Sequence, residues 1–250
     1  MKLNLTLSDD ERRHLEHHEL PLGSEQEIAD AFHRLTYEAA RRQLTWHAAR
    51  WKGYQVFKHP IDLWHYAELL WEVKPRTVIE TGTAEGGSAL YFADLLESYG
   101  VRGYSVITMD IRGLSPRWPA HERIFYVPGW DSAKGLPRVG RALPGGPDIS
   151  LGQRLESPVL VVLDSDHSEA HVRAELDAFA GLVTEGSYLV VEDSNVNGHP
   201  VLQDHGPGPL EALEAWLPEH PEFRQDQARV QRQLLSYHTW LRRVAPDRTG

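Results

Sequence analysis

A chain of 250 residues with no cysteine and a formal net charge of -10 has the length of one domain plus a modest extension, and buries roughly 70–75% of its unfolded surface without staples. The charge argues against general binding to nucleic acid or to an anionic membrane, and the missing thiols exclude disulfides, thiolate metal sites and cysteine nucleophiles. No apolar run is long enough to span a bilayer, and the stretch MKLNLTLSDDERRHLEHHEL lacks an apolar signal core, so a cytoplasmic protein is expected.

Ser8, Asp9 and Asp10 before Glu11 resemble a helix start, with His14, His17 and His18 after them. Charges surround these histidines, so they read as a solvated face rather than a metal site. Residues 25–51 read as one longer helix, because Ile28, Ala31, Phe32, Leu35, Thr36 and Ala39 recur at helical spacing. Residues 1–60 are therefore expected to be an N-terminal helical extension packed on the main domain, 61–250, or on a second subunit. Gly53 and Pro60 punctuate a loop over 51–60, and 62–72 reads as a helix with Leu63, Trp64, Ala67, Leu70 and Trp71 on one side. Its tryptophans are expected in the core, with Tyr54 or Trp64 the alternative as a ligand contact.

The stretch VIETGTAEGGS, Val78–Ser88, is the centre of the chain. A short apolar run meets Glu80, then Gly82, Thr83, Glu85, Gly86, Gly87 and Ser88, and a helical pattern opens at Ala89. This is a strand, a tight glycine turn and a helix start with unpaired N–H groups. The spacing is not the G-x-G-x-x-G of a dinucleotide site, and no lysine makes a P-loop. Glu80 and Glu85 would repel phosphates. A nucleotide-like ligand without phosphates and with positive charge fits better, and S-adenosylmethionine is such a ligand.

The helix continues over 90–99, and a second strand over 105–109 ends in Asp110. An acid there, about 20–30 residues after the turn, is placed for ribose hydroxyls. A third strand, 124–127, is closed by Gly129, Trp130 and Asp131, and Asp131 is assigned to the adenine amino group. Residues 135–157 are rich in glycine and proline and read as a loop with at most a short helix. Residues 159–163 (VLVVL) read as a central parallel strand buried on both faces. A helix to Gly181, a strand over 187–191, a helix over 210–216, and a closing antiparallel pair at 231–237 and 239–244 follow. Alternating strands and helices ending in a hairpin predict an α/β doubly wound, mostly parallel sheet of the Rossmann-like class.

Asp110, Asp164, Glu192 and Asp193 all fall at carboxyl ends of strands, where ligands bind in such sheets. Four like charges on one rim call for a cation, and oxygen-only ligands favour Mg2+ first, then Ca2+ or Mn2+. Asp164, Glu192 and Asp193 are the expected ligands. His167, three residues after Asp164, is the expected general base for an alcohol whose pKa the metal lowers. His167 and His171 also have i,i+4 spacing, but without an HExxH pattern zinc is disfavoured.

The blocks HPIDLWHYAELLWEVKPRTVIETGTAEGGSAL, LDSDHSEAHVRAEL, YLVVEDSNVNGHPV and GPGPLEAL together resemble the cephalosporin hydroxylase family, with which rhamnosyl O-methyltransferases are grouped. The resemblance covers residues 55–245. It implies a Rossmann-like, S-adenosylmethionine-dependent methyltransferase with a Mg2+ site and an oligomeric, here homo-oligomeric, assembly. Glu80, Gly82 and the turn through Ser88 match the family's cofactor motif, Asp110 its ribose-binding acid, and Asp164, Glu192 and Asp193 its metal site. The layout is also similar to catechol-type O-methyltransferases, where a catalytic lysine stands three residues after the metal acid. Here that place is His167, as in macrolide sugar O-methyltransferases, which implies a hydroxylated small molecule such as a sugar as acceptor. SYHTWL departs from the family before the last strand, and Asn195, Asn197 and His199 are expected to face either substrate or a turn. An iron- or nicotinamide-dependent oxidoreductase and a non-catalytic accessory protein are the competing readings.

Overall fold

The computed structural model describes residues 25–232, 236 and 238–245, so His14, His17 and His18 lie outside the described residues. The first helix, α1 (Glu25–Arg41), is shorter than its apolar spacing suggests. Gln43 and Thr45 adopt φ of 61° and 53°, a left-handed state through which a right-handed helix cannot continue. One 3-10 turn follows, then an antiparallel hairpin of β1 (Arg50–Trp51) and β2 (Tyr54–Gln55), in place of the expected longer helix and loop. Lys52 and Gly53 at its tip both have positive φ, the pair of states whose twist suits a two-residue hairpin.

Helix α2 (Pro60–Val73) starts with proline in its first turn and with the His59 ring accepting the Ile61 N–H. Its buried stripe is Asp62, His65, Tyr66, Leu69 and Leu70. Trp64 and Trp71, expected in the core, are 66% and 55% exposed. The buried stripe carries three polar residues, which is why hydrophobicity alone selects the wrong face.

A nine-stranded sheet carries the rest. Its strands in chain order are β3 (Thr77–Thr81), β4 (Ser105–Asp110), β5 (Ile124–Pro128), β6 (Val139–Arg141), β7 (Asp148–Ser150), β8 (Val159–Leu163), β9 (Tyr188–Val191), β10 (Phe223–Gln225) and β11 (Thr239–Arg243). Their order across the sheet is 10-11-9-8-3-4-5-6-7. The central five strands, β9-β8-β3-β4-β5, are parallel, and the two pairings at each edge are antiparallel, so β11 and β6 run against the rest. Two expectations are corrected here. The segment 135–157 is not simply a loop, since β6 and β7 extend the sheet. β11 pairs with β10 on one side and β9 on the other; of the expected partner 231–237, Gln231 and Arg232 are helical, and residues 233–235 and 237 lie outside the described residues.

Helix α3 (Gly87–Ser98) packs with α2 on one face of the sheet, where Tyr66, Leu69, Phe92 and Leu96 meet Val78, Val106, Leu160, Val162 and Val190. Helices α4 (Glu169–Phe179) and α5 (Pro209–Trp216) cover the other, where Leu176, Phe179, Leu213 and Trp216 meet Ile79, Ile107, Val161, Leu163 and Leu189. Alternate residues of each central strand serve opposite cores, which is why these strands read as unbroken apolar runs. The chain winds outward from β3 through β4 to β5, then returns to β8 on the other side of β3. That reversal makes a switch-point crevice at the carboxyl ends of β3 and β8. Thr81 stands in register with Met109 and Leu163, and Leu163 with Val191, so Gly82, Asp110, Asp164 and Glu192 leave the sheet at one level. No helix among the described residues is long and apolar enough to cross a membrane.

Candidate active site

The glycine turn is built for its neighbours more than for a ligand. Gly82 has φ of 83°, and a Cβ there would overlap the Asp164 carbonyl of the adjacent strand. A Cβ on Gly87 would overlap the Gln55 carbonyl, so the small hairpin lies directly on the start of α3. The turn is tied to β4 by Gly82 and Thr83 N–H bonds to the Met109 carbonyl at 2.8 and 3.1 Å, and by the Ala84 N–H to Asp110 Oδ2 at 2.9 Å.

Glu80 is fully buried, accepting the Thr108 hydroxyl at 2.7 Å. Burial first, against the pull of Lys58, pushes its carboxyl up to about 7. Thr83 is also buried, its hydroxyl 2.9 Å from that of Thr108. Glu85 turns to Arg112 and Arg117, at 3.9 and 3.7 Å. These three, with Gly86 and Gly87, support the turn without lining the cavity beside it.

That cavity, about 660 Å³, is lined by Gly82, Ala84 and Ser88 of the turn, Asp110, Asp131 and Ser132 at the ends of β4 and β5, and Asp164, His167 and Asp193 at the ends of β8 and β9. Asp110 is buried and bracketed by Arg112, whose Nε and Nη2 lie 3.1 and 2.9 Å from its two oxygens. The Asp131 carboxylate accepts the Ala133 N–H at 3.1 Å. His171 also lines the cavity, but its Nε2 meets Ser132, Ser165 and Glu175 at 3.2, 3.0 and 3.5 Å. It is not one of the residues that cluster with His167 as possible ligands.

The acidic rim has an internal cation that sequence reasoning missed. Lys58, in the loop before α2, is fully buried with Nζ 2.7 Å from Asp164 Oδ2 and 2.5 Å from Glu192 Oε1. Burial alone would lower its pKa, but Asp164, Glu192 and Glu80 outweigh that and hold it charged. Tyr66 donates to the same Glu192 oxygen at 2.5 Å, and His238 Nε2 lies 3.5 Å from the other. Asp193 instead meets His167 Nε2 at 3.2 Å through Oδ2, and accepts the Tyr37 hydroxyl at 2.6 Å through Oδ1. His167 Nε2 is also 3.9 Å from Asp164 Oδ1. Burial opposes charge on this ring, yet Asp193 and Asp164 win and raise its pKa. Burial and the facing Glu192 push the Asp164 carboxyl up to about 7 despite Lys58.

One ligand atom from each of Asp164, His167 and Asp193 falls within a 4.8 Å cluster. Two carboxylates to one imidazole suit a hard divalent ion, and reverse the two-histidine, one-carboxylate pattern of non-haem iron oxygenases. A carboxyl held up near 7 by burial and by the facing Glu192 is also one that a cation would relieve. Glu192 stands beside the cluster, committed to Lys58 and Tyr66. Asn197 and His199 do not reach the cavity, since both bind Glu211 Oε1, at 2.8 and 2.9 Å. Asn195 is buried, 3.3 Å from the Tyr37 hydroxyl. Tyr54 packs against the core and Trp64 faces solvent, so neither touches the cavity.

The model of the family described as rhamnosyl O-methyltransferase/CmcI matches residues 43–244. Curated relatives include the rhamnosyl O-methyltransferase of Mycobacterium tuberculosis, 37% identical over 205 residues that cover 81% of this chain and 78% of that protein. The Mycobacterium leprae rhamnosyl O-methyltransferase is 36% identical, covering 81% of this chain and 83% of that one. A solved CmcI structure with SAH shares the fold at TM-score 0.56 and 24% identity, covering 79% of this chain and 83% of that one. A CmcI structure described as Mg-SAM does so at TM-score 0.57 and 22% identity, covering 79% and 77%.

Proposed function

The chain belongs to the rhamnosyl O-methyltransferase/CmcI family, and on that premise we propose that it is a Mg2+-dependent enzyme moving the methyl group of S-adenosylmethionine to a sugar hydroxyl. The observation that carries this reading is one cavity joining Asp110, at the end of β4, to Asp164, His167 and Asp193. Asp110 binds the donor's ribose hydroxyls, Asp131 its adenine amino group, and Gly82, Ala84 and Ser88 flank its amino-acid end. The buried Glu80, Thr83, Gly86 and Gly87, with the half-buried Glu85, hold that turn in shape. Asp164 and Asp193 hold the ion, with Glu192 completing the acidic set.

When bound, Mg2+ supplies Lewis acidity that lowers the pKa of an acceptor hydroxyl, and S-adenosylmethionine supplies an electrophilic methyl group. His167 Nε2 accepts the hydroxyl proton. The flanking Asp193 and Asp164, which raise its pKa, stabilise the imidazolium that results. The remaining contribution of the chain is orientation, for which the usual ceiling is ~7–11 kcal/mol. Rhamnose is the first acceptor to try, because the curated relatives carry that name.

The test titrates SAH into chelator-treated protein by calorimetry, with and without Mg2+ and with NAD as control. Tritiated methyl transfer to methyl α-L-rhamnopyranoside follows. The expected result is SAH binding, no NAD binding, and transfer abolished by EDTA and restored by Mg2+. Absence of SAH binding under both conditions refutes the reading.

A further inference from the structure

Among the cavity-wall residues that the donor and metal assignments leave unused is an aromatic stretch: Trp46, His47, Val56 and Phe57. Trp46 and Phe57 also line the small pocket next to it, together with Tyr37, Lys58, Glu192 and Asp193. They therefore stand beside the carboxylate that His167 touches. The rings pack as one group. Tyr37 and Trp46 have centroids 5.7 Å apart, Trp46 and His47 4.4 Å, and His47 and Phe57 meet at 90° and 5.3 Å.

Phe57 is held in left-handed backbone, with φ of 56°. A bulky residue adopts that state only where its surroundings impose it, at a cost of about 1–3 kcal/mol. Both neighbours show the constraint. Val56 is buried, its N–H donating to the Ala49 carbonyl at 3.0 Å, and Lys58 is fixed between Asp164 and Glu192. With 56 and 58 committed to the interior, the unusual φ at 57 leaves the phenyl ring on the cavity wall.

The donor occupies the end of the cavity at Asp110, Asp131 and Gly82, and the reacting hydroxyl must reach His167. The acceptor then approaches along the aromatic wall. A pyranose ring has an apolar face of C–H bonds that packs on the electron-rich face of an aromatic ring. The right angle between His47 and Phe57 makes a corner rather than a parallel slot, which suits a puckered ring better than a flat one. Resting on the transferase reading above, we propose that Trp46, His47 and Phe57 form the acceptor subsite, stacking the apolar face of a deoxyhexose ring so that one hydroxyl faces His167.

The experiment compares wild type with Trp46→Leu, Trp46→Phe and Phe57→Leu. SAH affinity is measured by calorimetry with Mg2+. Methyl-transfer kinetics use p-nitrophenyl α-L-rhamnopyranoside, with 3,4-dihydroxybenzoate as a flat acceptor of similar size. The expected result is a rise of about tenfold or more in rhamnoside KM for Trp46→Leu and Phe57→Leu, recovery by Trp46→Phe, and SAH affinity within about threefold throughout. The subsite is overturned alone if wild type binds SAH but the leucine variants keep its rhamnoside KM. It is also overturned if SAH and rhamnoside affinities fall together, if the dihydroxybenzoate is the better wild-type acceptor, or if wild type binds SAH and does not methylate the rhamnoside. A wild type that binds no SAH removes the transferase reading and the subsite with it.

Discussion

Replacing Lys58 with methionine tests whether the acidic rim depends on a protein cation. The ammonium is fully buried and contacts Asp164 and Glu192 at 2.7 and 2.5 Å. Methionine fills similar volume but removes the ammonium between the two facing carboxylates, leaving the His167 and His238 rings beside them. Removing one partner of a buried ion pair costs about 3–5 kcal/mol. Part of that cost is avoidable by protonation, because Asp164 is already pushed up to about 7 by burial and Glu192 against the pull of Lys58. Losing Lys58 raises it further, so the penalty is full near pH 8 and shrinks near about pH 5.5, where the carboxyl is neutral in either protein. Urea unfolding in EDTA at the two pH values reads this directly. A loss below about 1 kcal/mol near pH 8, or one that does not change with pH, would refute it.

Three other outcomes are expected. His167→Ala lowers kcat by about a hundred- to ten-thousandfold while SAH affinity stays within about twofold; equal losses in both would make the ring structural. Gly82→Ala places a Cβ on the Asp164 carbonyl at a φ of 83°, so a thermal melt shows Tm lower by about 8–16 °C, the equivalent of roughly 4 kcal/mol, and an unchanged Tm contradicts the close approach. Buried Asp62 and Glu80, pushed up to about 6 and about 7 chiefly by burial, bind protons in the folded state that the unfolded chain has released. Folded protein thus holds more protons between about pH 4 and 7, and its stability in chelator falls as pH rises through that window. A flat or rising profile there goes against it.

The strands that carry the site were legible because their cores are two-sided. VLVVL and YLVV are apolar throughout, and the acids at the ends of β4, β8 and β9 (Asp110, Asp164 and Glu192) mark the sheet's carboxyl edge. Thus Asp110, Asp131, Asp164, His167 and Asp193 come together as expected. The residues that hold them were hidden by distance and type. Lys58 lies 106 residues from Asp164 and 134 from Glu192, and a lysine in a loop reads as solvated. Tyr37 reaches Asp193 across 156 residues. The glycine turn is legible in sequence, but the close approach of the Asp164 and Gln55 carbonyls to Gly82 and Gly87 is not, because those partners lie far away in the chain. Short strands such as Val139–Arg141 vanish in a glycine- and proline-rich stretch because three residues cannot display a period.

Four carboxylates at one sheet edge point to a metal less directly than their number suggests. Arg112 neutralises Asp110, and Lys58 is shared by Asp164 and Glu192. What is left for an external cation is narrower: Asp164 Oδ1 and Asp193 Oδ2, 3.9 and 3.2 Å from one histidine nitrogen. Glu192 and Asp193 both follow β9, and Asp193 turns out of the extended chain with φ of 51°. Glu192 and Asp193 accordingly divide their work, the first packed against Lys58 and Tyr66, the second turned to His167 and Tyr37. Asp193 also joins two segments distant in sequence, because its N–H donates to His238 Nδ1 at 3.2 Å while its Oδ1 accepts from Tyr37 of α1. The outer carboxylate of the rim is therefore held by Tyr37 of α1 on one oxygen and faces His167 on the other, so α1 contributes a contact to the site.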